Sequence, residues 1–173
     1  MNGHEPVLVL TTGGTIDKIY FDANSTYEVG EPTVPVVFRE GRVELPWRLR
    51  ELMRKDSLDL DDADRAAIRR ACEEAPERRI LITHGTDTMT ETAATLRDIP
   101  GKTIVLTGAL APAGFRVTDA VFNLGLALGA VQCLPPGVHL AMNGTIFEEG
   151  RVNKNREAGK FEEAPPQEIR VPG

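Results

Sequence analysis

The chain is poor in the residues that staple or metallate a fold. It has two cysteines, three histidines and one tryptophan in 173 residues, and aromatic residues make up 5%. Cys72 and Cys133 lie far apart and form no CxxC pair. That excludes a disulfide scaffold, and both thiols are expected to be reduced, small core residues. His4 and His139 are isolated, and His84 has no second His or Cys at metal-ligand spacing, so no metal is expected. Positive charge is also short: 20 Lys+Arg stand against 26 Asp+Glu, a net charge of −6. An acidic chain repels phosphate unless it carries a basic patch. The only dense basic stretch, Arg48–Lys55, is broken by Leu49, Glu51, Leu52 and Met53, so a nucleic-acid partner is not expected. Long apolar runs are missing too. Val7–Leu10 is too short for a signal core and no basic segment precedes it. Val121–Val131 falls short of the ~20 residues of a membrane span and is interrupted by Asn123. The expectation is a cytoplasmic protein with no membrane partner.

What is present is the composition of a folded domain. Hydrophobic residues reach 41% and charged residues 27%, and the length suits one domain over residues 1–173. Strand-like and helix-like segments alternate. Pro6–Thr12, Arg79–Thr83, Thr103–Thr107 and Val138–Met142 are continuous apolar runs of strand length. Val34–Phe38 is short and β-branched, and Trp47–Lys55 is ambiguous between strand and helix. A helix is expected from Asp61 or Asp62 to Pro76, with Ala67, Ile68, Ala71 and Cys72 on one face. A second opens at Thr88 with Glu91 completing a capping box, and ends by Pro100. A third, capped by Thr118 or Asp119, runs to about Gln132, is apolar all round, and is expected to be deeply buried. Residues 17–30 read as a loop or loose hairpin, Thr145–Val152 as a hairpin turning at Glu149-Gly150, and the chain from Asn153 as an irregular tail.

Apolar strands without alternation, separated by helices, imply a parallel sheet covered on both faces, an α/β doubly wound fold. Sites in such folds lie beyond the carboxyl ends of the strands. Four segments occupy those positions: Thr12-Gly13-Gly14-Thr15, Thr83-His84-Gly85-Thr86-Asp87, Thr107-Gly108-Ala109 and Met142-Asn143-Gly144. No GKS or GKT follows the first strand and GxGxxG is absent, so phosphate cradling by a P-loop or a dinucleotide fingerprint is excluded. A hydroxyl-centred site remains. A hydroxyl becomes a nucleophile only when a base or cation lowers the cost of deprotonation. The plain alternative for His84–Thr88 is a capped helix start with a structural His84.

Taken together, Thr12-Gly13-Gly14-Thr15-Ile16 and His84-Gly85-Thr86-Asp87-Thr88-Met89 resemble the bacterial-type L-asparaginase/glutaminase family. Gly108-Ala109-Leu110-Ala111-Pro112, Phe122-Asn123-Leu124, Met142-Asn143-Gly144-Thr145 and Gly150-Arg151 with Lys154 follow in that family's order. The resemblance implies a flavodoxin-like α/β domain of three layers with a mainly parallel sheet. It implies Thr15 as the nucleophile on the side-chain amide carbon, and Thr86 with its hydroxyl and N–H beside that amide. Gly14 and Gly85 would line the substrate site. It implies Asp87 on the substrate α-ammonium, Lys154 polarising the Thr86–Asp87 pair, and Ser57 on the α-carboxylate. Accepting Ser57 makes Arg48–Arg54 a strand. Tyr27 or Tyr20, on a mobile loop of about residues 17–30, would assist Thr15; no cofactor is implied.

The chain ends before the second domain usual in that family, so the resemblance is to the short-chain, single-domain form. The acid that a neighbouring subunit's second domain supplies to the α-ammonium in that family is expected to have no counterpart. Glu148, Glu149, Glu162 and Glu163 lie near Lys154 in sequence, and no spacing selects one. The expected activity is hydrolysis of L-asparagine to L-aspartate and ammonia, with L-glutamine slower, in a homo-oligomer, a dimer or tetramer. The alternatives are an amino-acid-binding or regulatory domain with little turnover, and an amidotransferase component.

Overall fold

The computed structural model describes residues 5–23 and 25–165; His4 and the end of the expected tail, 166–173, lie outside them. Five parallel strands form the centre: β1 (Val7–Gly13), β4 (Trp47–Lys55), β5 (Arg79–Thr83), β6 (Thr103–Thr107) and β7 (Gly137–Met142). Their order is β4-β1-β5-β6-β7, with β8 (Thr145–Glu148) antiparallel at the far edge. Counting only the parallel strands, that is the 2-1-3-4-5 order of a flavodoxin-like sheet. Helices α1 (Val34–Glu40) and α4 (Ala120–Cys133) cover one face; α2 (Asp62–Glu74) and α3 (Met89–Leu96) cover the other. The fold is therefore the expected three-layer α/β fold. Alternate residues of β1 feed the two cores: Leu8 and Leu10 join Ile68 and Leu96, while Val7 and Val9 join Phe38 and Leu124. Strands buried on both faces need no polar alternation, hence their unbroken apolar text.

Local chemistry accounts for the elements, including those that depart from expectation. Asp61 and Asp64 form a reciprocal capping box at the start of α2. Val34–Phe38 is not a strand but the body of α1. The Thr33 carbonyl accepts from Val36 and Val37, Pro35 sits in the first turn where no N–H is needed, and Val34 and Phe38 are buried. Trp47–Lys55 is a strand, pairing with β1 from Val7↔Trp47 onward. Its Leu52 and Met53 pack on the α2–α3 core, so tertiary pairing overrides the helical propensity of that segment. At α3, Thr88 makes no cap hydrogen bond and the expected capping box is absent. Its hydroxyl instead donates to the Ser57 carbonyl at 2.8 Å, and Glu91 pairs with Arg65 at 3.0 Å.

Of the two readings of residues 17–30, the structure has the hairpin, β2 (Lys18–Phe21) paired with β3 (Thr26–Val29) and Tyr20 opposite Tyr27. Four further expectations are corrected. Thr145–Val152 is not one hairpin. Asn143 and Gly144, at φ 48° and 90°, make a two-residue turn from β7 into β8, the geometry that Asn-Gly favours. The chain then leaves the sheet, and β9 (Val152–Asn155) pairs antiparallel with β10 (Lys160–Glu163) where an irregular tail was expected. That ribbon is held by Val152 and Phe161 in the α2–α3 core. Helix α4 is not buried all round: Val121 and Phe122 are 53% and 62% exposed. Its apolar text records two faces, one in the core and one uncovered in the single chain. Cys133, at the end of α4, is exposed; Cys72 is buried as expected, and burial pushes its thiol up to about 12. Among the described residues no helix is long and apolar enough to cross a membrane.

At the carboxyl ends of β1, β5 and β6 the backbone at Gly14, Gly85 and Gly108 leaves no room for a Cβ. A Cβ on Gly108 would collide with the His84 carbonyl oxygen, whereas one on Gly114 meets nothing within 4 Å. Gly108→Ala is expected to cost about 1–3 kcal/mol or more by overpacking, and Gly114→Ala to be neutral or stabilising by about 0.4–1 kcal/mol. Urea denaturation of the two variants beside wild type checks the contrast; equal stabilities would contradict it.

Candidate active site

Three strand ends meet backbone to backbone. β1 ends in Gly13 and Gly14, at φ 99° and 88°, conformations that L side chains rarely adopt. A Cβ on Gly14 would collide with the backbone of Gly85, and one on Gly85 would stand 2.6 Å from the Ser57 Oγ. The residue before Thr15 thus touches the residue before Thr86, and that residue covers Ser57. Thr15 itself opens a single tight turn, Thr15–Asp17. The turn is fixed from both sides: the Gly14 N–H donates to the Lys55 carbonyl at 2.9 Å and the Asp17 N–H to the Gly14 carbonyl at 3.2 Å. Thr15 is half-buried, Thr86 is 7% exposed and Ser57 1% exposed. The Ser57 hydroxyl has no hydrogen-bond partner among the described residues. The buried Thr11 and Thr83 hydroxyls are in the same state, so the missing partner does not by itself set Ser57 apart.

Lys154 arrives from outside the sheet. Its Nζ donates to Thr86 Oγ1 at 2.7 Å and to Asp87 Oδ1 at 2.5 Å, and its side chain is 11% exposed. The β9–β10 ribbon carries it there, pinned at its start by a bidentate Arg97–Glu149 pair at 2.7 Å. Asp87, at 36% exposure, keeps its second oxygen clear of that pair. The neighbouring Arg156 Nη2 donates to the Asp87 carbonyl at 3.3 Å. None of Glu148, Glu149 and Glu162 is hydrogen-bonded at Asp87; they pair with Arg151, Arg97 and Lys160.

Tyr20 and Tyr27 are cross-strand partners with ring centroids 5.4 Å apart, both about half exposed. Tyr27 also packs on Phe115, from the loop after β6, at 5.9 Å. The hairpin's root is tied down by Lys18, whose Nζ lies 2.6 Å from Asp56 Oδ2. Asp56 Oδ1 accepts the Leu58 N–H, capping the Ser57–Asp59 turn. Burial works to raise the Asp56 carboxyl, but the Lys18 hydrogen bond and the Leu58 amide outweigh it and hold it below its ordinary value.

Several organising residues escaped the sequence reading. Asp119 accepts from the Leu110 and Ala111 amides at 3.0 and 3.1 Å and from the Asn123 and Asn143 side chains at 2.9 Å. Burial again opposes ionisation, but these donors, Asn143 first, keep the Asp119 carboxyl low. Asn123 donates to the Gly108 carbonyl and accepts the Asn143 N–H, both at 2.9 Å. A signal was present: an Asn inside an otherwise apolar helix must find polar partners. Asp17, 1% exposed, accepts both the N–H and O–H of Thr33 at 2.8 Å. Burial outweighs those two hydrogen bonds and raises its carboxyl. Among the described residues no group of three His, Cys, Asp or Glu is placed to hold a metal ion. Concavity does not single out this site: a cleft of about 300 Å3 lined by Ile146, Phe147, Glu148, Arg151, Glu163 and Ala164 includes none of these hydroxyls.

The chain is similar to known proteins over most of its length. The family model for the N-terminal domain of asparaginase matches residues 6–162. The L-asparaginase of Thermococcus kodakarensis is 32% identical over 163 residues, covering 88% of this chain and 48% of the relative. Its solved structure superposes with a TM-score of 0.80 at 29% identity, over 91% of this chain and 51% of that one. The structure of L-asparaginase I from Vibrio cholerae gives a TM-score of 0.78 at 27% identity, over 94% and 52%. One component of the glutamyl-tRNA(Gln) amidotransferase of Pyrobaculum aerophilum is 34% identical over 142 residues, covering 76% of this chain and 33% of that protein. The chain spans about half the length of these relatives or less.

His84 lies inside the turn that bears Thr86 and is fully buried. Its Nδ1 faces the Gly85 carbonyl at 2.7 Å, an acceptor, so Nδ1 carries the proton and Nε2 accepts the Thr92 hydroxyl at 2.8 Å. Burial lowers its pKa to about 4. The unfolded chain therefore binds a proton that the fold refuses between about pH 6.5 and pH 4, and stability falls as pH falls through that window. The expected loss is on the order of 3 kcal/mol by pH 4. Urea titrations at several pH values check it, and His84→Gln is expected to flatten that part of the slope; an unchanged slope would contradict the assignment.

Proposed function

The chain belongs to the asparaginase family, and from that premise we propose that it is an amidohydrolase acting on the side-chain amide of L-asparagine, with L-glutamine slower. The observation that carries the reading is the Lys154 ammonium on both Thr86 Oγ1 and Asp87 Oδ1. Sixty-eight residues of sequence separate Lys154 from Thr86, and a buried lysine is retained at a desolvation cost that a merely solvated one avoids.

In this mechanism the Ser57 hydroxyl takes the substrate α-carboxylate and the second oxygen of Asp87 the α-ammonium. Thr15 Oγ attacks the amide carbon. Its proton leaves by way of the Tyr20–Tyr27 hairpin to the departing nitrogen, the C–N bond breaks, and ammonia is released. Water then adds to the acyl-threonine ester and frees aspartate and the Thr15 hydroxyl. Lys154 lowers the cost of charge on Thr86 Oγ1, and a cation works hardest where water is excluded. One methylene separates the two amino-acid substrates, a difference worth only ~1–3 kcal/mol of discrimination.

A second reading draws on the 34% identity to an amidotransferase component: the same chemistry, with the ammonia handed to a partner chain. It predicts slow hydrolysis alone and faster turnover with an acceptor protein present. For assembly we propose a homo-oligomer, dimer or tetramer. Support comes from the uncovered face of α4, where Val121 and Phe122 flank exposed Gly125 and Gly129. Sedimentation equilibrium checks it, and a monomer at high concentration counts against it.

The deciding assay is ammonia release from asparagine and glutamine. Thr15→Ala and Thr86→Ala are each expected to abolish turnover. Lys154→Met is expected to lower kcat by about 100-fold or more while the fold, followed by circular dichroism, persists. A folded wild type that releases no ammonia from either amide would refute the hydrolase reading and favour an amino-acid-binding domain.

A further inference from the structure

Asp17 lies two residues beyond Thr15 and faces away from solvent, at 1% exposure. Its three polar groups reach three different places. The carboxylate takes the N–H and O–H of Thr33, each at 2.8 Å. Its carbonyl takes the Gly30 N–H at 2.8 Å, and its N–H reaches back to Gly14. Gly30 and Thr33 bracket the exit of the β2–β3 hairpin, and Asp17 immediately precedes its entry. One residue therefore holds both ends of the hairpin together and closes the turn on which Thr15 sits. Thr33 in turn starts α1, so the clasp ties the hairpin root to a helix of the core. Gly30 leaves no slack, since a Cβ there would stand 3.3 Å from the Asp17 carbonyl. A two-stranded ribbon is marginal by itself; this one meets the rest of the protein at its root, through Lys18–Asp56, and through the Tyr27–Phe115 contact.

We propose that Asp17 is a positioning residue: its buried carboxylate clasps the two ends of the Lys18–Val29 hairpin and thereby fixes Thr15 and the paired tyrosines relative to the Thr86 and Ser57 loops. The catalytic consequence rests on the reading of Thr15 as nucleophile; the clasp does not. Burying a carboxylate costs desolvation, and the two Thr33 donors offset part of that cost. Asparagine offers one oxygen of the same shape and no charge, and Oδ1 alone receives both Thr33 donors, so Asp17→Asn preserves the geometry.

The test compares Asp17→Asn, Asp17→Ala and Thr33→Val with wild type. Hydrogen exchange is followed along the chain, and kcat and KM are measured for asparagine. In Asp17→Ala the amides of Lys18–Gly30 are expected to exchange at least about tenfold faster, with those of β5 and α2 unchanged. The value of kcat is expected to fall roughly 10- to 100-fold with KM within about threefold. Asp17→Asn is expected to restore both to within about threefold. Three results would overturn the clasp: wild-type hairpin protection in Asp17→Ala, protection lost evenly over the whole fold, or an Asn variant as impaired as the Ala one. Should Asp17→Ala not fold, Thr33→Val decides, because loss of one donor must still speed exchange in the hairpin, and no change there refutes the proposal. A wild type without ammonia release refutes the nucleophile reading, while the exchange data still settle the clasp.

Discussion

The backbone of Gly85 fills the space where a side chain on Gly14 would stand, and much of the candidate site follows from that contact. Parallel pairing of β1 with β5, in the register Val7↔Arg79 through Thr11↔Thr83, brings the two chains to their ends side by side. Strands normally keep their neighbours' side chains between layers, but their terminal loops can touch directly where both lack Cβ atoms. Here the contact continues: Gly85 lies on Ser57, and Gly108 lies on His84. Loops from four strands are drawn into a small area. His84 pins the middle loop from inside, bonding Gly85 with one nitrogen and Thr92 with the other.

Much of this was legible in the chain because it is local. Unbroken apolar runs flanked by glycine name the strands, and strand-end glycines with threonines name the site loops. What stayed hidden depends on distance. Val34–Phe38 has strand-like composition, yet Thr33 is held by a carboxylate sixteen residues back and the segment turns into α1. The ribbon carrying Lys154 is polar text, and only Val152 and Phe161 packing on the α2–α3 core make it a structure. Asn143-Gly144 carries a plain hairpin signal, but its place at a strand end drew attention to chemistry instead of to the turn it forms. For α4 the sequence shows apolarity without saying what covers it, because apolar text reads the same for a core and for an interface.

Acidity at the carboxyl end of the sheet has a structural explanation. Asp17, Asp56 and Asp119 each receive more than one hydrogen-bond donor from neighbouring loops. Loops lack a ladder, so their N–H groups need acceptors, and a carboxylate supplies several in a small volume. Asp17 joins the hairpin ends, Asp56 joins hairpin and Ser57 turn, and Asp119 joins the loops after β6 and β7. These carboxylates need not touch a substrate to shape the site, which is why motif spacing alone gives them no role.

Lys154 shows how far the site depends on parts outside the sheet. A lysine brought to 11% exposure surrenders most of its hydration, and two close acceptors must replace it. Thr86 and Asp87 do so only if the ribbon holds its position to within a fraction of an ångström. Among the described residues the ribbon has no partner strand in the main sheet. It relies instead on two apolar anchors and on Arg97–Glu149, whose glutamate side chain is 11% exposed. Because Glu149 immediately follows β8 and Arg97 caps α3, any change that shifts α3 against the sheet edge must move Lys154. The cation and the loop it polarises therefore share one support: α3 begins directly after Asp87-Thr88 and ends at Arg97. The helix that presents Thr86 and Asp87 at its N-terminal end also holds, through its C-terminal end, the ribbon that brings their lysine.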